Sequence, residues 1–170
     1  VVIAIDSEET EKALSGYKFD IIMTDTDHPS GTDRVAQVAK TIDDAEIIIN
    51  IQGDEPLLDS NVIDGLVKLF DDPIVSMGTV VSRHIGVKDY LDRNIVKVFL
   101  DENHNAYDFK RDIYDSEIGG VFRHIGLYGY QKVTLFEVTS LAPSHNEKKY
   151  SLEQLRALDN NIKIKALITS

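Results

Sequence analysis

Apolar and polar positions alternate along this chain in blocks that change period about every ten residues. Residues 1–5, "VVIAI", form a continuous apolar run, the pattern of a parallel strand covered on both faces. Asp6 and Ser7 follow as a helix N-cap with acids in the first turn, which predicts a short helix over 7–14. A second strand is predicted over 20–23. After the polar segment "HPSGTDR", residues 28–34, come Val35, Val38, Ala39 and Ile42 at helical spacing. A third apolar strand covers 46–51. The turn 52–56 leads from it to a helix marked by Val62, Leu66, Leu69 and Phe70, with Asp59 or Ser60 as cap. This strand–helix order predicts a parallel sheet with right-handed crossovers. The second half changes character. "IVSMGTVVS", "IVKVFLD", "AYDFKR" and "FRHIGLYGY" are strand-like with fewer helices between them, so added antiparallel or mixed strands are expected. Helices are predicted over 134–140 and 151–158, and a final strand over 162–168.

Two polar turns fall on the carboxyl ends of predicted strands, where open α/β sheets bind ligands. In "QGDEP", Gly53 permits a sharp turn, Asp54 and Glu55 bring carboxylates, and Pro56 fixes the exit. Hard oxygen ligands on such a turn suit Mg²⁺ beside substrate phosphates. The plainer reading is an acidic turn before a helix. In "HPSGTDR", Ser30, Gly31 and Thr32 offer backbone and hydroxyl groups, Asp33 can accept from an exocyclic amine, and Arg34 can meet a phosphate or a carboxylate. Here the plainer reading is helix capping by Thr32, with Asp33 in the first turn. A glycine-containing loop that opens a helix is also an anion site, so base and phosphate recognition both remain open.

Composition narrows the partners. The formal net charge of −11 argues against a nucleic-acid surface, which needs clustered Lys and Arg. No apolar run approaches the roughly 20 residues of a membrane span. The sequence has no cysteine, which removes disulfides, thiolate metal sites and thiol nucleophiles and fits a cytoplasmic protein. The apolar fraction of 42% and charged fraction of 28% fit one globular domain over residues 1–170. The chain opens directly on "VVIAID" and stops at "ALITS", so both ends are expected to be cut.

"HPSGTDR", "NIQGDEPLL", "NIVKVFLD", "RHIGLYGY" and "LEQLRAL" occur in the order seen in the 3-deoxy-manno-octulosonate cytidylyltransferases, the CMP-Kdo synthetases, and the resemblance runs over essentially the whole chain. It implies a Rossmann-like, three-layer α/β nucleotidyltransferase fold of the nucleotide-diphospho-sugar transferase type, mostly parallel with added mixed strands. It also implies a homodimer that uses CTP and Mg²⁺ to make CMP-Kdo and pyrophosphate for lipopolysaccharide biosynthesis. By the same resemblance, Ser30, Gly31 and Asp33 lie near the cytosine, with Arg34 supporting their loop. Gln52 approaches the ribose or sugar and Asp54 holds Mg²⁺. His124 and Tyr128, with Tyr130, border the sugar-acid pocket, Glu147 meets sugar hydroxyls, and Gln154 lies nearby. Tyr128 and Tyr130 also read as core aromatics, and His124 as a satisfied structural histidine.

The resemblance has gaps. The family's opening glycine-, serine-, arginine- and lysine-bearing triphosphate loop and its closing "VDTPED"-like metal motif have no counterpart here, so the chain alone is expected to be inactive. Where the family commonly has "ALYFSR", residues 106–111 read "AYDFKR". Arg111 is kept and is expected to pair with the sugar acid's carboxylate. Asp108 and Lys110 share a strand face and read first as a surface ion pair. Alternatively, Asp108 meets an amino group and selects an 8-amino-Kdo. Other acceptors in view are an acylneuraminate, and the competing class is a non-catalytic nucleotide- or sugar-binding relative.

Overall fold

A computed structural model of the chain describes residues 1–53, 59–113 and 119–169. Two compact units form, Val1–Glu46 and Ile47–Ser170. In the first, β1 (Val2–Ile5) and β2 (Asp20–Met23) pair in parallel, Val2 opposite Asp20 and Ile5 opposite Met23. Helix α1 (Glu8–Leu14) starts at Ser7, whose side chain accepts from the Thr10 amide. Helix α2 (Gly31–Ala39) buries Ala36, Val38 and Ala39. Of β1, only Ile5 is fully buried, so this strand is less covered than its unbroken apolar run predicts.

The second unit runs β3 (Ile47–Ile51), α3 (Ser60–Lys68), β4 (Met77–Ser82), α4 (Val87–Leu91), β5 (Lys97–Leu100), β6 (Asn105–Lys110), β7 (Val121–Gln131), α5 (Lys132–Ser140), α6 (His145–Tyr150), α7 (Leu155–Asp159) and β8 (Ile164–Thr169). Its six strands lie in the order β3-β7-β4-β8-β6-β5, with β7 also reaching β5. The α/β class is as expected, but the balance of pairings differs. Only β4–β8 is parallel here, and β3 pairs antiparallel with β7. The eleven residues of β7 run between β3 and β4 and separate two strands that would otherwise be parallel neighbours.

Helix α3 covers one face of this sheet. Leu66 packs into a core with Val80 and Leu127, and Ile49, Val62, Leu69, Ile125 and Leu167 surround it. The approach is close enough to require glycine: a Cβ on Gly129 would come within 2.6 Å of the Phe70 ring. Burying Leu66 and Leu127 is worth roughly 2 kcal/mol each, which is what holds α3 to this face. The opposite face carries polar and aromatic side chains beside the buried Met77 and Val81.

The expected helix over 151–158 begins later. Ser144 and Glu147 form a capping box that starts α6, and Ser151, at φ 54°, takes the left-handed conformation that stops it. Helix α7 then starts at Leu155.

Candidate active site

The segment 28–34 connects β2 to α2, and the N-cap is Ser30, two residues before the Thr32 that spacing favoured. Ser30 Oγ accepts from the Asp33 amide at 3.2 Å and donates to Asp33 Oδ2 at 2.6 Å. Gly31 opens the helix, and a Cβ added there meets nothing within 4 Å. No packing inside the protein therefore demands glycine at this position, and the approach to the first turn stays open. Arg34 braces the loop as the resemblance implies: it donates to Thr24 Oγ1 at 2.6 Å, to the Asp25 carbonyl at 3.2 Å and to Asp6 Oδ2 at 2.6 Å. One guanidinium thus ties together the ends of β1 and β2. His28 donates from Nε2 to Gln37 Oε1 at 2.5 Å and Gln37 also takes the Asp25 amide, so His28 shapes the loop from behind.

In the second unit, residues directly opposite in an antiparallel ladder point to the same side. Asn50 and Thr79 both lie opposite Tyr128, and Met77 lies opposite Tyr130. Gln52 stands two residues beyond Asn50. The His124 ring packs between Phe109 and Tyr128, with centroids 5.3 Å away on each side. Asn50, Thr79, His124, Tyr128 and Tyr130 therefore share the face that α3 leaves uncovered. Tyr128 is 2% exposed, and burial, with Tyr130 and Glu153 nearby, raises its pKa. Asn50, Thr79 and Glu153 escaped the sequence reading. Two signals were available, since Asn50 stands two before Gln52 and Glu153 adjoins Gln154 in "LEQLR". Thr79 carried none.

Arg111 follows β6 and lines a groove of about 800 Å³ with Asp108, Lys149, Tyr150 and Asp159 among others. Its guanidinium donates to three backbone carbonyls, those of Arg93 (3.0 Å), Ser151 (3.2 Å) and Tyr150 (3.4 Å). Two of these end α6, the negative pole of that helix, although a helix of one and a half turns supplies little dipole. Among the described residues no carboxylate pairs with Arg111, so its charge is oriented without being neutralised. Lys97, fully buried, holds the same corner from beneath: Nζ donates to the Asp92 carbonyl at 2.6 Å and the Arg111 carbonyl at 2.8 Å. Burial lowers its pKa. Sequence reasoning passed over Lys97 because lysine is almost never fully buried.

Three other residues are occupied in specific ways. Asp108 Oδ2 lies 3.4 Å from Lys110 Nζ, both about a third exposed, which is the ion pair their shared strand face predicts. Glu147 is buried. One of its oxygens accepts from Arg156 Nε and the Ser144 amide (2.9 Å each), the other from Arg156 Nη2 (2.6 Å), so both are engaged inside the protein. Gln154 is 6% exposed at the start of α7. Asp54 and Glu55 lie outside the described residues, and among those described no cluster of three acidic, histidine or cysteine side chains can hold a metal.

His124 is neutral near pH 7, because burial pushes its pKa from 6.5 down to about 4. In the unfolded chain the imidazole takes up its proton first. Its contribution to stability is therefore complete above pH 6.5 and is lost as pH falls toward 4. The loss amounts to at most about 3 kcal/mol. His124→Gln should flatten the melting temperature across this window, and an unchanged pH slope in the variant would exclude the assignment.

The cytidylyltransferase family model matches residues 1–164. The 3-deoxy-manno-octulosonate cytidylyltransferase of Pelobacter propionicus is 39% identical over 185 residues, covering 99% of this chain and 72% of its own length. This chain belongs to the 3-deoxy-manno-octulosonate cytidylyltransferase family. The enzyme of the same name from Solibacter usitatus is 41% identical over 174 residues, covering 99% of this cytidylyltransferase and 69% of its own length. A CMP:2-keto-3-deoxy-manno-octonic acid synthetase solved in complex with CTP superposes with a TM-score of 0.90 at 32% identity, covering 99% of this chain and 71% of that one. A putative glucose-1-phosphate thymidylyltransferase from Bacillus anthracis shares the fold alone, at TM-score 0.64 and 14% identity. This cytidylyltransferase is thus an enzyme of the nucleotidyltransferase class.

Proposed function

We propose that this protein transfers CMP from CTP to 3-deoxy-manno-octulosonate (Kdo), forming CMP-Kdo and pyrophosphate for lipopolysaccharide biosynthesis. The observation that carries this reading is the whole-chain likeness to a synthetase of that sugar acid solved with CTP. In the reaction the anomeric hydroxyl oxygen of the sugar bonds to the α-phosphorus, the bond to the bridging oxygen breaks, pyrophosphate leaves, and the hydroxyl proton passes to solvent. Such transfer relies on positioning and charge neutralisation rather than on a covalent enzyme intermediate.

Arg111 is the partner for the sugar's carboxylate, a role its three neutral carbonyl contacts support by aiming the cation without cancelling it. His124, Tyr128 and Gln154 border the sugar, and Gln52 approaches the ribose or the sugar. Ser30, Gly31 and Asp33 form the cytosine loop, braced by Arg34. Glu147 acts at one remove, holding Arg156 and the start of α6, whose far end presents its carbonyls to Arg111. Mg²⁺ is the metal proposed for this site, bound through Asp54, and when bound it neutralises phosphate charge. The protein is further proposed to work as a homodimer in the cytoplasm, in keeping with a cysteine-free chain. Among the described residues, no helix is long and apolar enough to cross a membrane.

The Asp108–Lys110 pair favours Kdo itself over an amino-sugar. With CTP held constant, pyrophosphate release should be faster with Kdo than with 8-amino-Kdo or an acylneuraminate, and Asp108→Tyr should leave that ranking unchanged. Exposed pairs of this kind contribute about 0–1 kcal/mol. A preference for 8-amino-Kdo that Asp108→Tyr reverses would overturn the assignment.

A further inference from the structure

Thr79 sits fully buried in the middle of β4, where the register against β7 shifts: Thr79 lies opposite Tyr128, but Val80 lies opposite Ile125. Gly126 and Leu127 are left without partners in β4, and such irregularities often re-aim side chains beside active sites. The Thr79 hydroxyl donates to the Leu127 carbonyl at 2.9 Å. A hydroxyl has a single proton to give, so in its 3.0 Å contact with His124 Nε2 the threonine oxygen accepts. Nε2 therefore carries the ring proton. The neutral ring has no second one, which leaves a lone pair on Nδ1. Nδ1 has no hydrogen-bond partner among the described residues, and none of their fully buried side-chain nitrogens or oxygens lacks one, so Nδ1 is not completely buried although the ring as a whole is largely desolvated.

We infer that Thr79 is a positioning residue that fixes His124 as the Nε2–H tautomer, so that Nδ1 meets the acceptor sugar as a hydrogen-bond acceptor and selects a hydroxyl group. This rests on the reading of His124 as a border of the sugar pocket. A lone pair there repels a carboxylate, so the two ends of the sugar acid are sorted: the anion goes to Arg111 and a hydroxyl goes to His124.

Nitrogen-15 NMR of His124 in the full-length protein tests the lock directly. Wild type and Thr79→Ser should show a pyrrole-type Nε2 and a pyridine-type Nδ1, whereas Thr79→Val, close in shape but lacking the hydroxyl, should exchange between tautomers. In steady-state assays Thr79→Val should raise KM for Kdo about tenfold, the worth of one good hydrogen bond. Its kcat and its KM for CTP should be little changed, and Thr79→Ser should restore the Kdo value. A wild-type ring protonated on Nδ1, or a Thr79→Val protein with both tautomer and KM intact, overturns the inference. If Thr79→Val fails to fold, the wild-type spectrum and the serine variant still decide it. If no sugar is turned over by wild type, the functional reading fails, and with it the selection of a hydroxyl; the tautomer result is read separately from the spectrum.

Discussion

Asp54→Asn is expected to lower CMP transfer by at least ~100-fold while leaving the melting temperature unchanged, because one hard anionic oxygen is removed where several kcal/mol of phosphate charge must be neutralised. Asparagine keeps the size of the side chain and a neutral carbonyl oxygen, so on the proposed role of Asp54 the variant should weaken the metal alone. Raising Mg²⁺ should recover part of the lost rate, since weaker binding is offset by mass action. Initial rates measured over a Mg²⁺ series check this. Near wild-type turnover at limiting Mg²⁺ would remove Asp54 from the metal role and leave the acidic turn as a structural feature.

The second large effect concerns stability. Arg156→Met should lower it by about 3–5 kcal/mol, because both Glu147 oxygens would be left buried with no cation to meet them. For a chain of this size that corresponds to a fall in melting temperature of roughly 10 °C. Adding Glu147→Gln to the same protein should recover much of the loss, since the uncompensated charge is the main cost. Its Ser144 contact shows why recovery should be incomplete: the Glu147 carboxylate also caps α6. Thermal melts of the single and double variants separate the two contributions. A single variant that melts with wild type would mean that the pair contributes no net stability.

Much of this architecture was legible because buried strands write themselves as apolar runs. The strands at residues 2–5, 20–23 and 47–51 fall where "VVIAI", "DIIM" and "IIINI" predict them. The partner of the third strand was not legible, because β7 lies some seventy residues away and nothing local to 47–51 encodes an antiparallel neighbour. The break between α6 and α7 was hidden for a different reason. Ser151 adopts a left-handed conformation usually marked by glycine or asparagine, and serine gives no such signal.

The site was legible in its motifs more than in its wiring. "HPSGTDR" stood out by composition, but the three contacts of Arg34 depend on the ends of both strands and cannot be read from seven residues. Glu147 shows a second role that its motif did not announce. The resemblance around "LEQLR" implied a contact with sugar hydroxyls, and Ser144-x-x-Glu147 is also a capping box whose carboxylate meets Arg156. For Asp108 the simple strand rule, two residues apart on one face, anticipated the ion pair with Lys110.

The most direct test of CMP transfer to Kdo is phosphorus-31 NMR of the full-length protein with CTP, Kdo and Mg²⁺. The account predicts that the three CTP resonances give way to one phosphodiester signal, from CMP joined to the sugar, and to pyrophosphate in equal amount, only when Kdo is present. A CTP spectrum unchanged by Kdo, or CTP breakdown that proceeds equally well without it, would contradict the account.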